Sequence, residues 1–402
     1  MTWLVMFSPV PTLQAKAEMN LWPNSPIQDA VEARRRARDR QPRLIFDFID
    51  GATGQEIAGQ ENCTALQAIK LQSRVLVNVE DLSLATAFLG QDYNRCFGIA
   101  PMGMCDLSWA GADAALSREA SARGLPHCVS TAASTTMEQS QECANGNAWF
   151  QLYAGTDSDQ TEEMIARAEA AGYQNLIFTV DTPRLSRRNR DRKNGFQVPF
   201  RFGAQQVFDF ATHPRWAMTT LMAGPPKPMN YHTSKLGKSF QRGDSRGGVD
   251  WDYLARLRNR WRGKLIVKGV MSVSDARHIK KAGVDAIYVS NHGGRQLDSA
   301  PAAINALPAI RRAVGRTFPL IFDSGVRSGD DIVRALALGA NFVMLGRPLL
   351  YALGADGPRG LGSLLDHLEE DVKAVMAQIG VTKIAQINAR VLADLETGIE
   401  DD

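Results

Sequence analysis

Little in this sequence could staple the chain or ligate a metal. Cysteine occurs five times in 402 residues, at Cys63, Cys96, Cys105, Cys128 and Cys143, with no Cys-x-x-Cys pair. An odd count without ligand spacing argues against a disulfide framework and against a zinc site, so free thiols and no metal are expected. Long apolar runs are also missing, since no stretch reaches the roughly 18 residues of a spanning helix. Charge of one sign is scarce: 46 Lys and Arg face 43 Asp and Glu, for a net charge of +3. Apart from "EARRRARDR" and the arginines near Arg188, the basic residues are dispersed. That balance leaves no electrostatic footprint for nucleic acid.

At 44% hydrophobic and 22% charged, the composition is that of a packed soluble protein rather than a disordered chain. The opening "MTWLVMFSPVPTLQAKA" has a short apolar run and an Ala-x-Ala-like end. It lacks a basic start and prolines break it, so it reads as an unstructured leader and the protein is expected to face the cytoplasm. The length alone admits one large α/β domain or two smaller ones.

What is present is a repeating unit. From about residue 95, eight short β-type runs ("CFGIAP", "PHCVS", "AWFQLY", "NLIFTVD", "KLIVKG", "DAIYVS", "PLIFD", "NFVMLG") alternate with stretches of helical period. "SDQTEEMIARAEAAG" has acidic first-turn residues and ends at Gly172; in "SGDDIVRALALG", Ser328 stands three before Asp331, a capping spacing. Strands that alternate with helices pair in parallel, because parallel neighbours need a crossover. Eight units close a (β/α)8 barrel. An open doubly wound sheet is the competitor, and "APMGMCD" lacks the Gly-x-Gly-x-x-Gly turn that would favour it. The expected organisation is a leader over residues 1–40 and a barrel over 41–395, with an N-terminal helical cap around "PRLIFDFIDGA" and a long loop insert after the fourth strand, 189–263. A loop of that length is usually functional.

Barrel chemistry gathers where strands end. In order those ends carry Ser130, then Gln151 and Tyr153, Thr179 and Asp181, Lys268, Ser290 and His292, Asp323 and Arg327, and finally Gly346 and Arg347. One such residue commonly only caps the next helix, but a barrel-wide set of charges in a buried mouth is costly unless paired or liganded. "DSGVRSGDD" and "LGRP" occupy the usual phosphate seat, with glycines, two arginines and the helix start near Ser328 expected to supply amide donors. Across the mouth, Asp181 would fix and charge-stabilise His292 as a base, and Arg188 and Arg295 suit a carboxylate.

The motifs "SNHGGRQLD", "TVDTPRLSRR" and "DSGVRSGDDIVRALALGA" resemble those of the FMN-dependent L-2-hydroxy acid oxidases and dehydrogenases, which include glycolate and lactate oxidases, flavocytochrome-type lactate dehydrogenases and mandelate dehydrogenases. The similarity runs from about Pro42 to Leu395. It implies FMN as cofactor and oxidation of a lactate- or mandelate-like acid to the 2-oxo acid. His292 would be the base, Asp181 its partner, Arg188 and Arg295 the carboxylate residues, and Tyr153 a phenol near the substrate hydroxyl. The flavin would be held by Pro101, Met102 and Gly103, by Ser130, Gln151, Thr179 and Ser290, and by Lys268, whose charge would stabilise the reduced form. Its phosphate would sit among Asp323, Ser324, Gly325, Arg327, Gly346 and Arg347.

Three departures from the family pattern bear on specificity. Phe48 stands where a tyrosine is usual, removing one hydrogen bond to the substrate carboxylate. Ala132 replaces the tryptophan of glycolate oxidases, which leaves room for a larger 2-substituent, and Gly103 replaces an alanine common in oxidases. The resemblance also implies a homo-oligomer, a tetramer, and a quinone, cytochrome or O2 as electron acceptor. The insert segment "VFDFATHPRWAMTTLMAGPPKPM" would either touch the inner face of the membrane or pack over its own barrel or a neighbouring subunit. Two alternatives stay open at this point: another FMN-barrel reaction (isomerisation or nitronate oxidation), and a flavin-binding protein whose activity lapsed with Phe48.

Overall fold

The structure, a computed structural model, describes residues 25–155, 158–197, 203–236 and 246–393. A short antiparallel hairpin, β1 (Thr86–Phe88) and β2 (Gln91–Tyr93), precedes eight parallel strands. These are β3 (Phe97–Met102), β4 (His127–Ser130), β5 (Ala148–Leu152), β6 (Asn175–Thr179), β7 (Lys264–Val270), β8 (Ala286–Val289), β9 (Leu320–Phe322) and β10 (Phe342–Leu345). Each pairs with the next, and β10 pairs back onto β3 to close the barrel. All eight apolar runs are therefore the barrel strands. They lie buried on both faces, which is why they read as continuous hydrophobic runs.

Two apolar groups follow from the strand period. Cys128, Trp149, Ile177, Ile266, Tyr288, Ile321 and Phe342 pack together with Phe88 and Tyr93 of the hairpin. Their sequence neighbours Val129, Phe150, Phe178, Val267, Val289 and Val343 join the larger core shared with the helices. The Phe88 and Tyr93 rings lie 5.3 and 5.4 Å from that of Phe342, near the start of β10, and Trp149 Nε1 donates to Tyr93 Oη at 3.3 Å. The hairpin thus plugs the end where strands begin, and the chemistry is left to the opposite end.

Several boundaries differ from expectation. Residues 1–24 of the expected leader lie outside the described residues, but 30–40 form a helix, Ala30–Arg40. Asp29 caps it by accepting from Glu32 N, and Ala30, Ala33 and Ala37 bury one face against the long helix Arg347–Gln378. The charged run hid an amphipathic helix whose apolar stripe is alanine alone. The expected helix over "PRLIFDFIDGA" is present as Arg43–Asp50 and carries Phe48 and Ile49 to the barrel mouth. The insert is not loop throughout: it contains helices Asn189–Asn194, Ala204–Ala211, Pro214–Ala223 and Met229–His232. Its last segment, Trp251–Arg260, is the crossover helix that leads into β7.

Candidate active site

The turn after β8 sets the site. His292, Gly293 and Gly294 all adopt left-handed backbone, with φ of 58°, 64° and 76°. For histidine this conformation costs about 1–2 kcal/mol. It is held by hydrogen bonds from His292 N to Ser290 Oγ, Gly293 N to Ser324 Oγ and Gly294 N to Asn291 Oδ1, at 3.0, 3.0 and 3.1 Å. Gly294 is required, since a Cβ there would lie 2.4 Å from Gly59 N. So held, the imidazole reaches Asp181 beyond β6, with Nδ1 3.1 Å from Oδ1 and 3.3 Å from Oδ2. Burial raises the Asp181 carboxyl, but the neighbouring His292 and then Lys268 outweigh it and hold the group below its ordinary value. Gly269, which the sequence reading passed over, makes space here: a Cβ on it would stand 2.5 Å from Asp181 Cβ.

Lys268 rises from β7 and is 3% exposed. Its Nζ donates to Ser290 Oγ at 2.8 Å and lies 3.2 Å from Asp323 Oδ2. Ser290 and Asp323 therefore both hold the Lys268 ammonium. Asp323 also lines the cavity, whereas Ser290 lies behind its wall. Ser130, Gln151 and Thr179 form a ladder across β4, β5 and β6: Ser130 Oγ donates to Gln151 Oε1 and Gln151 Nε2 to Thr179 Oγ1, each at 3.0 Å. Ser130 faces the cavity, while Gln151, Thr179 and Asp181 stand behind its wall.

At the far end Ser324 and Gly325 adopt φ of 85° and 93°, and with Arg327, Gly346 and Arg347 they line the same cavity. The helix that starts at Gly329 does not offer the amides expected of it. Arg327 N donates to Asp331 Oδ2, Gly329 N to Asp371 Oδ2 and Asp331 N to Ser328 Oγ. Arg347 donates to the carbonyls of Asp50 and Gly293, and Arg327 to that of Val326. Burial, then the positive charge of Arg327, lowers the Arg347 pKa. The two guanidiniums line one end of the cavity near enough for their charges to act on each other, an arrangement that suits a dianion.

The remaining wall holds the aromatic and basic residues. Phe48 stacks on Phe196, and the guanidinium carbons of Arg188 and Arg295 each lie 5.5 Å from the Phe48 ring centre. Arg295 donates to the carbonyls of Phe48, Ile49 and Gly51, and Arg188 pairs with Asp191 at 3.5 Å. Burial, then the Asp181 charge, pushes the Tyr153 phenol up to about 12, so it is a donor at neutral pH. Pro101, Met102, Gly103 and Ala132 complete this side. Phe196, Leu185 and Arg246 also line the cavity and were missed. They sit in the insert or just before it, where no periodicity marks a position as inward.

A family model described as FMN-dependent dehydrogenase matches residues 37–394. The chain belongs to the FMN-dependent dehydrogenase family. It is 36% identical over 374 residues to an L-lactate dehydrogenase of Pseudomonas syringae pv. syringae, covering 91% of this chain and 98% of the relative. It is 37% identical over 378 residues to an L-lactate dehydrogenase of Azorhizobium caulinodans, covering 92% and 99%. Among solved structures, the monotopic membrane protein (S)-mandelate dehydrogenase superposes with a TM-score of 0.87 at 32% identity, covering 92% of this chain and 100% of that one.

The cavity of this FMN-dependent dehydrogenase fits its cofactor. The paired Arg327 and Arg347 suit the phosphate, and the buried Lys268 and the Ser130 hydroxyl suit the polar edge of an isoalloxazine ring. Flat apolar contact comes from Pro101 and Met102.

Proposed function

We propose that this FMN-dependent dehydrogenase oxidises an L-2-hydroxy acid to the 2-oxo acid with His292 as the base. The supporting observation is the Asp181–His292 pair, set in one cavity with Arg188, Arg295 and Tyr153. FMN, when bound, takes the two electrons released as the C–H and O–H bonds of the substrate carbinol give way to C=O, and passes them to an acceptor. His292 Nε2 is the nitrogen left for the substrate proton, because Nδ1 is engaged by Asp181. Asp181, held ionised, stabilises the protonated ring. Arg188 and Arg295 supply the positive field for the substrate carboxylate, and the protonated Tyr153 donates to its hydroxyl oxygen.

The reading extends to the acceptor. No helix among the described residues is long and apolar enough to cross a membrane. Helices Ala204–Ala211 and Pro214–Ala223 instead expose Phe208, Leu221 and Met222 at 71, 82 and 86%. Such a patch suits the membrane interface, where a quinone would take the electrons.

Anaerobic mixing of the FMN-loaded protein with L- and D-2-hydroxy acids of aliphatic and aromatic type tests the reaction. Bleaching of the flavin by L-acids alone is expected. If no 2-hydroxy acid bleaches it, the substrate assignment falls.

A further inference from the structure

Two cations of the cavity wall, Arg184 and Arg246, have no place in the chemistry above; Arg184 is exposed, whereas Arg246 is half-buried. Arg246, at the end of the insert, lines the same cavity as His292 and Arg188. Its guanidinium carbon lies 4.6 Å from the centre of the Tyr153 ring. It is not a drifting surface side chain. Its main-chain N donates to Pro183 O at 3.0 Å, which ties it to the loop after β6 that also carries Asp181 and Arg188.

Apart from the exposed Arg184, the other cations of the cavity are accounted for. His292 faces Asp181, Lys268 faces Asp323 and Arg188 faces Asp191; Arg295 is bonded to three carbonyls, and Arg327 and Arg347 form the phosphate seat. Among the described residues no carboxylate lies within ion-pair reach of Arg246, whose recorded side-chain contact is the face of Tyr153. A half-buried guanidinium on the wall of a substrate cavity, without a protein anion, is a recognition element for an anionic group brought by a ligand. Tyr153 is the phenol assigned to the substrate hydroxyl, so a group received by Arg246 across that ring belongs to the 2-substituent rather than to the carboxylate held by Arg188 and Arg295. The small Ala132 leaves room on this side.

We propose that the physiological substrate is an L-2-hydroxy acid bearing a second anionic group, most simply a 2-hydroxy dicarboxylate, with Arg246 receiving the second carboxylate beside Tyr153. This rests on the hydroxy acid reading above. The second carboxylate makes and breaks no bond: the same C–H and O–H bonds are lost, and two electrons pass to FMN.

The test compares kcat/KM for L-2-hydroxysuccinate and L-2-hydroxyglutarate with that for length-matched monoacids, L-2-hydroxybutyrate and L-2-hydroxypentanoate, and for the half-amides of the diacids, which keep the shape without the charge. At least one diacid is expected to exceed its matched monoacid and its half-amide by tenfold or more. Arg246→Gln is expected to cut that diacid-to-monoacid ratio at least tenfold, and Arg246→Lys to restore part of it. Binding of 2-oxoglutarate against 2-oxopentanoate, read from the flavin absorbance of the resting enzyme, should follow the same order. A wild-type preference for monoacids or half-amides overturns the proposal without any variant, and so does a ratio that Arg246→Gln leaves in place. If neither class bleaches the flavin, the failure lies in the hydroxy acid reading itself.

Discussion

Phe48 lies parallel to Phe196, with ring centres 4.1 Å apart and planes 7° from parallel, and it presents its ring between the guanidiniums of Arg188 and Arg295. The phenylalanine is therefore built into the cavity wall that carries Arg188 and Arg295 rather than being a gap left by a lost hydroxyl. The stack holds a helix of the N-terminal cap against the segment that follows Asn189–Asn194. Cation–π contact steadies both arginines at about 0.5–1 kcal/mol each where partly exposed.

Phe48→Tyr is expected to keep this stack and to add a donor near the substrate carboxylate. A hydrogen bond to a charged group nets about 1.5–3 kcal/mol, so KM should fall by about tenfold or more with little change in kcat. Steady-state kinetics of the variant decide it. An unaltered KM would place the carboxylate away from position 48.

Asp181→Asn should leave FMN bound, because Asp181 stands behind the cavity wall, yet slow flavin reduction by about 10²–10⁴-fold, the range lost with general acid–base assistance. The amide removes the negative charge that stabilises the protonated His292. Stopped-flow reduction under anaerobic conditions measures it, and wild-type rates would remove the pair from the mechanism. His292→Ala should abolish reduction with the flavin still in place.

How far the sequence was legible follows the range of the forces involved. The eight strands were found because each is an apolar run buried on both faces, a signal contained in three to seven residues. The strand-end residues were legible as a set, since a single polar residue there commonly caps a helix but charges gathered at one buried mouth need partners or a ligand. What was missed depends on partners distant in sequence. The contacts of Asp323 and Ser290 with Lys268 are of this kind, since the three residues stand at the ends of different strands. Arg246 sits beside two glycines in a segment without period, and its approach to Tyr153 exists only in the folded chain. Ala30–Arg40 escaped because alanine gives a helix face little hydrophobic contrast.

Acid stability should depend on Asp50, which joins the N-terminal cap to the site. Its carboxylate accepts from Arg34, Arg190 and Tyr351, and its carbonyl accepts from Arg347. Burial raises this carboxyl, but the hydrogen bonds from Arg34, Tyr351 and Arg190 prevail and hold it well below the usual carboxylate range. A folded value below the unfolded one means that the stabilisation is present above about pH 4 and is lost as the pH falls through the folded value. Asp50→Asn should therefore lower Tm at neutral pH and flatten the loss of stability below about pH 4. Thermal unfolding followed from neutral pH into acid checks both, and a variant as acid-sensitive as the wild type would assign that sensitivity elsewhere.

The exposed face of the insert leads to the last prediction. Trp216 is buried, with Nε1 donating to Leu107 O at 2.9 Å, and Phe210 packs on it with ring centres 5.4 Å apart. Asp209 accepts from Arg43 N and Leu44 N, at the start of the helix that carries Phe48. The two helices are thus anchored through one side, and Val207, Phe208, Met218, Leu221 and Met222 are left pointing outward with Arg215 and Lys227 exposed nearby. Exposed apolar side chains with basic ones on the same segment suit an anionic bilayer surface, and each buried side chain contributes about 1.5–3 kcal/mol. The protein should float with phosphatidylglycerol vesicles. Replacing Phe208, Leu221 and Met222 together by serine should leave it at the bottom of the gradient, while anaerobic flavin reduction proceeds as before, because none of the three lines the cavity. A wild-type protein that fails to float would return the patch to a contact with another protein surface.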